Sequence, residues 1–99
     1  MNNLFLRPQY LKILTDIFDQ YCPNAEIWAY GSRVNGNAHE ASDLDLVVKN
    51  FNSKEAILSE LKILINDSNI PILVDINEFN YLPESFQKEI LKKYVVIYG

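Results

Sequence analysis

Ser42-Asp43-Leu44-Asp45-Leu46-Val47-Val48-Lys49, preceded by Gly31-Ser32 with ten residues between Ser32 and Asp43, is the stretch on which the fold turns. Extended backbone sends successive side chains to opposite faces, so Asp43 and Asp45 point one way while Leu44 and Leu46 point to a core. Two carboxylates about 6 Å apart repel each other by roughly 3 kcal/mol at an effective dielectric of about 20. A divalent cation between them turns that repulsion into attraction. The pattern predicts a strand with a metal-binding face on one side and a hydrophobic core on the other.

Upstream, residues 25–30 (AEIWAY) have the aromatic and branched content of a strand that ends at Gly31. Ser32 then starts a short helical turn, followed by a loop whose turn chemistry sits in Asn35-Gly36-Asn37, residues that tolerate left-handed backbone. Before that strand, Leu11, Leu14, Phe18 and Tyr21 recur at helical spacing with Pro8 near the first helical position, which predicts an amphipathic helix over residues 8–21. Pro23-Asn24 breaks it.

Downstream, the second strand is expected over residues 43–49. Asn52 can cap the next helix with Glu55 three residues on, and Ile57, Leu58, Leu61, Leu64 and Ile65 form the buried stripe of that helix as far as Asn66. A third strand is expected over residues 72–76, with Asp75 an acid inside an otherwise apolar segment. A last helix over residues 83–93 and an extended segment over residues 94–98 complete the chain. This order predicts an α/β (α+β) domain, a small mixed sheet flanked by helices.

Ninety-nine residues with 48% apolar content suit a single domain, 1–99, with a real core. The one cysteine, Cys22, excludes an internal disulfide and reads as packing at a helix end. With no secretory signal in the polar opening and no apolar run near the roughly 18 residues of a membrane span, the expectation is a cytoplasmic protein with no membrane contact. The net charge of −4 opposes attraction to nucleic-acid backbones. No basic run interleaves with aromatics, so direct nucleic-acid binding is not expected and a small anion escorted by metal fits better.

Gly31-Ser32-Arg33, Gly36 and Ser42-Asp43-Leu44-Asp45-Leu46 resemble the signature of the nucleotidyltransferase superfamily that includes DNA polymerase beta. The likeness is closer to its smallest branch, the minimal nucleotidyltransferases (MNT domain proteins), which pair with HEPN domain proteins in prokaryotic toxin-antitoxin modules. It extends over nearly the whole chain. A bare Asp-x-Asp is common by chance, and the weight here comes from Gly-Ser at the right distance before it and a third acid in a later strand.

The resemblance implies the nucleotidyltransferase fold. It assigns Gly31 and Ser32 to the nucleotide's phosphates, Asp43 and Asp45 to magnesium, and Asp75 to a third carboxylate that helps hold metal and positions or deprotonates the attacking hydroxyl. The residue chemistry agrees, because glycine lets backbone approach a phosphate and serine supplies a hydroxyl. Arg33 is a further candidate for phosphate, by a charge-assisted contact. Asn35 departs from the family, which often carries a second basic residue there. The implied reaction is adenylyl transfer from ATP to a hydroxyl, with two Mg2+ ions, on a HEPN-type partner in a hetero-oligomer, the chain acting as antitoxin. The alternative is a non-catalytic nucleotide-binding subunit that neutralises its partner by complex formation.

Plainer roles compete for several of these residues. Ser32 could be a simple helix cap, Arg33 could pair with a surface carboxylate, and Asp75 could be a surface acid. His39 lies in a polar loop with no second ligand at metal spacing and reads as solvent-exposed. Trp28 and Tyr30 read as sheet surface, with Tyr30 close enough to Gly31 to stack on a base. Leu4, Phe5, Leu6, Tyr94 and Tyr98 are candidates for a partner interface.

Overall fold

The computed structural model describes residues 4–51 and 58–99. Helix α1 (Pro8–Tyr21) leads into strand β1 (Glu26–Tyr30), the short helix α2 (Ser32–Asn35) and strand β2 (Leu44–Lys49). Helix α3 (Leu58–Asn66), strand β3 (Val74–Glu78), a 3-10 turn (Phe79–Tyr81), helix α4 (Glu84–Lys92) and strand β4 (Val95–Tyr98) follow. The expected Asn52 cap, Glu55 and Ile57 lie outside the described residues. Among the described residues no helix is long and apolar enough to cross a membrane.

The four strands form one sheet in the order β3-β2-β1-β4. β1 runs antiparallel to both neighbours, and β2 and β3 are parallel, joined by a crossover through α3. The mixed sheet matches the expected fold class. Strand alternation divides its residues into two sets. Ile27, Ala29, Leu44, Leu46, Val48 and Ile76 face the larger core, which Leu14 and Phe18 of α1 and Leu61 and Ile65 of α3 complete. Trp28 and Val47 point the other way and meet Phe79 and Ile90 in a second, smaller core under α4. β1 is buried on both faces for this reason.

α1 holds the predicted bounds. Pro8 stands at its start, where the missing N–H costs nothing, and the Cys22 N–H closes its end on the Phe18 carbonyl at 2.9 Å. Cys22 is buried, and desolvation pushes its thiol up to about 11, as fits a packing residue.

β3 lies two residues later than expected, at Val74–Glu78 rather than 72–76. The apolar alternation ends at Ile76, but pairing to β2 continues, with Asn77 opposite Val47 and Glu78 opposite Val48. An edge strand tolerates such polar residues, so its extent follows the partner strand rather than its own hydropathy. The 3-10 turn after it was not expected. Its Phe79 is the residue that closes the second core.

Candidate active site

The register sets Tyr30 beside Asp45 and Asp45 beside Asp75, a row across three adjacent strands. It lies on the face that also carries Trp28 and Val47, at the end of the sheet where β1 finishes and β2 and β3 begin. Leu44 and Leu46 are fully buried on the opposite face, which turns Asp45 toward Asp75 as the alternation requires. Asp43 precedes β2 by one residue and is exposed. The structure thus sets Asp45 and Asp75 side by side at one end of one face, with Asp43 near enough for its charge to act on Asp45.

The row is electrostatically strained. Desolvation raises the Asp45 carboxyl above its ordinary value, and the charges of Asp75 and Asp43 raise it further. The Tyr30 phenol is pushed up to about 12 by burial and then by Asp45 and Asp75, so it stays protonated at neutral pH and can donate. Asp75 accepts a hydrogen bond from Asn77 Nδ2 at 3.2 Å. Among the described residues, none of the three acids has a cationic ion-pair partner. Nor, among those residues, is any set of three His, Cys, Asp or Glu side chains arranged to hold a metal ion unaided.

Gly31 links this row to the turn that follows β1. Its backbone, at φ 82° and ψ −153°, occupies a region open in practice only to glycine. A Cβ there would also stand 2.6 Å from Asp45 Oδ2. The backbone conformation strains any larger residue, and such a residue would also push the Asp45 carboxylate aside. The Gly31 carbonyl accepts from the N–H groups of Val34 and Asn35 at 3.0 and 2.9 Å, which builds α2 and sets half-buried Ser32 next to the row. Gly36 ends α2 in the left-handed region, as the Asn-Gly-Asn reading expects.

Arg33, expected to reach a phosphate, turns inward instead. It is 4% exposed. Its Nε and NH2 donate to the Ser42 carbonyl at 3.0 and 2.8 Å, NH2 also to the Glu40 carbonyl at 2.9 Å, and NH1 to the Phe5 carbonyl at 2.7 Å. Four of the five N–H donors of a guanidinium are thereby committed to main chain. Burial lowers its pKa from the ordinary arginine value, against the raising influence of Glu40 and Asp43. Arg33 therefore braces the segment that delivers Asp43, and its partners are carbonyls rather than a surface carboxylate. His39 is exposed, with Nδ1 accepting from the Ala41 N–H at 3.3 Å.

A cavity of about 380 Å³ opens beside Gly31, lined by Asn35 of α2, by Tyr30, and by Phe86, Glu89, Lys92 and Lys93 of the α4 region. The two lysines did not stand out in the sequence, where a basic pair near a helix end reads as a solvated terminus. The candidate interface residues divide. Tyr98 packs on Phe18 and donates to Asp19 Oδ1 at 2.5 Å, and Leu4 and Leu6 lie half-buried against the larger core. Phe5 is 47% exposed, and Tyr94, 37% exposed, stacks on Trp28 at 4.2 Å.

Residues 12–99 match the family described as polymerase beta, nucleotidyltransferase. The chain is also 35% identical over 95 residues to a protein of Haemophilus influenzae (strain ATCC 51907 / DSM 11121 / KW20 / Rd) named probable protein adenylyltransferase MntA. That similarity covers 95% of this chain and 83% of the relative. The chain belongs to the polymerase beta nucleotidyltransferase family. As a nucleotidyltransferase it carries both halves of the signature read from its sequence, the Gly31-Ser32 turn and the Asp43/Asp45 pair, within the matched residues.

Proposed function

We propose that this nucleotidyltransferase transfers AMP from ATP to a hydroxyl of a partner protein, with the Tyr30–Asp45–Asp75 row and Asp43 as its reactive face. The observation that carries the reading is the register that sets Asp45 beside Asp75 while Gly31 backbone lies against Asp45. The name of the Haemophilus relative, a probable protein adenylyltransferase, supports AMP as the group and protein as the acceptor. A HEPN-type partner, and with it an antitoxin role, follows from the resemblance to the minimal branch of the family.

The carboxylates suit magnesium, a hard cation with oxygen ligands that usually takes one or two protein carboxylates and completes its shell with water and substrate phosphates. Burial first, and then the charges of Asp75 and Asp43, raise the Asp45 carboxyl, and such an ion relieves the like-charge part of that penalty. Asp43 and Asp45, with Asp75 beside them, would hold it, and its chemistry there is to shield negative charge on the phosphates. Gly31 admits a phosphate close to backbone and Ser32 offers a hydroxyl donor. Asp75 accepts the proton of the attacking hydroxyl. The acceptor oxygen bonds the α-phosphorus, the bond from that phosphorus to the bridging oxygen breaks, and pyrophosphate leaves with the electron pair. The chain's contribution is position and charge rather than a covalent intermediate.

Incubation with labelled ATP, magnesium and the product of the neighbouring gene should transfer label to that protein and add the mass of AMP to it. Absence of label with folded chain and folded partner would sink the proposal. Nucleotide binding without transfer would instead assign the non-catalytic subunit.

A further inference from the structure

Gly31 lies against the Asp45 carboxylate and also lines the cavity of about 380 Å³. With adenylyl transfer as the underlying reading, we propose that Lys92 and Lys93 bind the β- and γ-phosphates of the nucleoside triphosphate in this cavity.

Charge gives the first reason. A triphosphate whose α-phosphorus reacts beside Asp43, Asp45 and Asp75 carries its remaining negative charge away from those acids, and that tail needs cationic partners. Arg33, the basic residue nearest in sequence to Gly31-Ser32, has its donors committed to the carbonyls of Phe5, Glu40 and Ser42. Asn35 lines the cavity but carries no charge. The cations that line it are Lys92 and Lys93, at the end of α4.

Availability gives the second. Lys93 has no ion-pair partner among the described residues. Lys92 Nζ pairs with Glu89 Oε2 at 2.9 Å, but both side chains are largely exposed, and an exposed pair one helical turn apart holds its partners weakly. Phosphate, with more charge and more acceptor oxygens, displaces a carboxylate from such a lysine. Glu89 also lines the cavity, and its carboxylate, released from Lys92, stays largely exposed to solvent.

Position gives the third. Tyr30 and Phe86 meet edge to face at 5.9 Å and tie α4 to the end of β1, so the lysines are placed by packed side chains rather than by a free loop. The cavity falls in the range of small-molecule sites, and two of its lining residues, Tyr30 and Gly31, also border Asp45, Tyr30 by strand register and Gly31 by close approach. A phosphate chain is thereby given acids at one end and lysines at the other.

Calorimetric titration of the full chain, in magnesium, with a non-hydrolysable adenosine triphosphate analogue and separately with AMP tests this. Replacing both lysines (Lys92→Ala with Lys93→Ala) should weaken the triphosphate by about tenfold or more, the scale of a lost charge-assisted contact, and leave AMP within about twofold. Lys93→Arg should retain most of the triphosphate affinity, and Lys88→Ala, which removes a lysine paired with Glu84 outside the cavity, should change neither ligand. Inorganic tripolyphosphate should displace the analogue from the wild-type chain and do so less well from the double variant. Because both lysines are exposed, the thermal midpoint should not move, which separates lost binding from lost folding.

Unchanged triphosphate affinity in the double variant would overturn the proposal and leave adenylyl transfer standing, with the lysines reduced to solvated residues at a helix end. Equal weakening of AMP and triphosphate would also overturn it, by placing the nucleoside in the cavity. A wild-type chain that binds no triphosphate would remove this inference and the proposed reaction together. Lysine-dependent triphosphate binding without label transfer would remove only the reaction.

Discussion

At Asp45, burial and the charges of Asp75 and Asp43 act in the same direction, so the ionised carboxylate present at neutral pH is disfavoured in the folded chain. An acid whose folded pKa lies above its unfolded value of about 3.9 weakens the fold at neutral pH. That penalty fades as pH falls through the folded pKa, because the folded chain then takes up a proton the unfolded chain does not. Asp45→Asn should therefore raise the thermal midpoint at pH 7. The gain over wild type should shrink as pH falls through the folded pKa and vanish only below the unfolded value, where both states of the wild-type acid are protonated. AMP transfer should fall by about a hundredfold or more, the scale of losing one preorganised electrostatic partner. Thermal scans from pH 4 to 8 beside a transfer assay check both, and a lower midpoint at pH 7 would contradict the repulsion. Asp43 and Asp45 were legible because a period of two fixes their face once Leu44 and Leu46 are in the core. The inward turn of Arg33 was not, because its acceptors come from residues 5, 40 and 42, brought together only by the tertiary fold.

Among the elements, α2 is too short to hold itself. Val34 and Asn35 close on the Gly31 carbonyl, and the brace comes from Arg33 at its second position, which fastens Phe5 on one side and Glu40 and Ser42 on the other. Phe5 answers with its own N–H to the Arg33 carbonyl at 2.7 Å, and its ring lies 5.6 Å from the guanidinium carbon. Arg33→Ala strands three part-buried carbonyls and should cost about 2–4 kcal/mol in urea unfolding. Lysine cannot restore the fork, so Arg33→Lys should recover little of it. A phosphate ligand at this position would behave oppositely, losing nucleotide affinity with the urea midpoint unchanged. The elements differed in how far sequence revealed them. α1 was readable in full because proline and a proline-asparagine turn mark its ends and its stripe is regular. β3 was readable in kind but not in extent, since Asn77 and Glu78 enter the sheet through β2 rather than through any preference of their own.

Across the whole molecule, one sheet serves two unequal cores, and the candidate site belongs to the smaller. The larger core collects side chains from α1, α3 and three strands, whereas the smaller has Trp28, Val47, Phe79 and Ile90 as its buried members, with Tyr30 and Leu82 at its margin. α4 carries one buried residue, Ile90, so its attachment to the sheet depends on that side chain and on the Tyr30–Phe86 contact. The elements with fewest buried contacts open at the lowest free energy, which makes α4 the first part of the sheet's covering to loosen. Ile90→Ala removes most of that attachment, with a local cost of about 2–5 kcal/mol. Trp28, the single tryptophan, reports on it directly, since it stacks on Tyr94 and meets Phe79 at 5.3 Å in the same core. In the Ile90→Ala chain, tryptophan fluorescence should change at lower urea than the far-ultraviolet circular dichroism, which follows α1 and the sheet. The same substitution deep in the larger core, Leu14→Ala, should move both signals together. Coincident transitions in Ile90→Ala would show that the two cores unfold as one unit, and the face bearing Asp45 and Asp75 would then be as firmly held as the helices behind it.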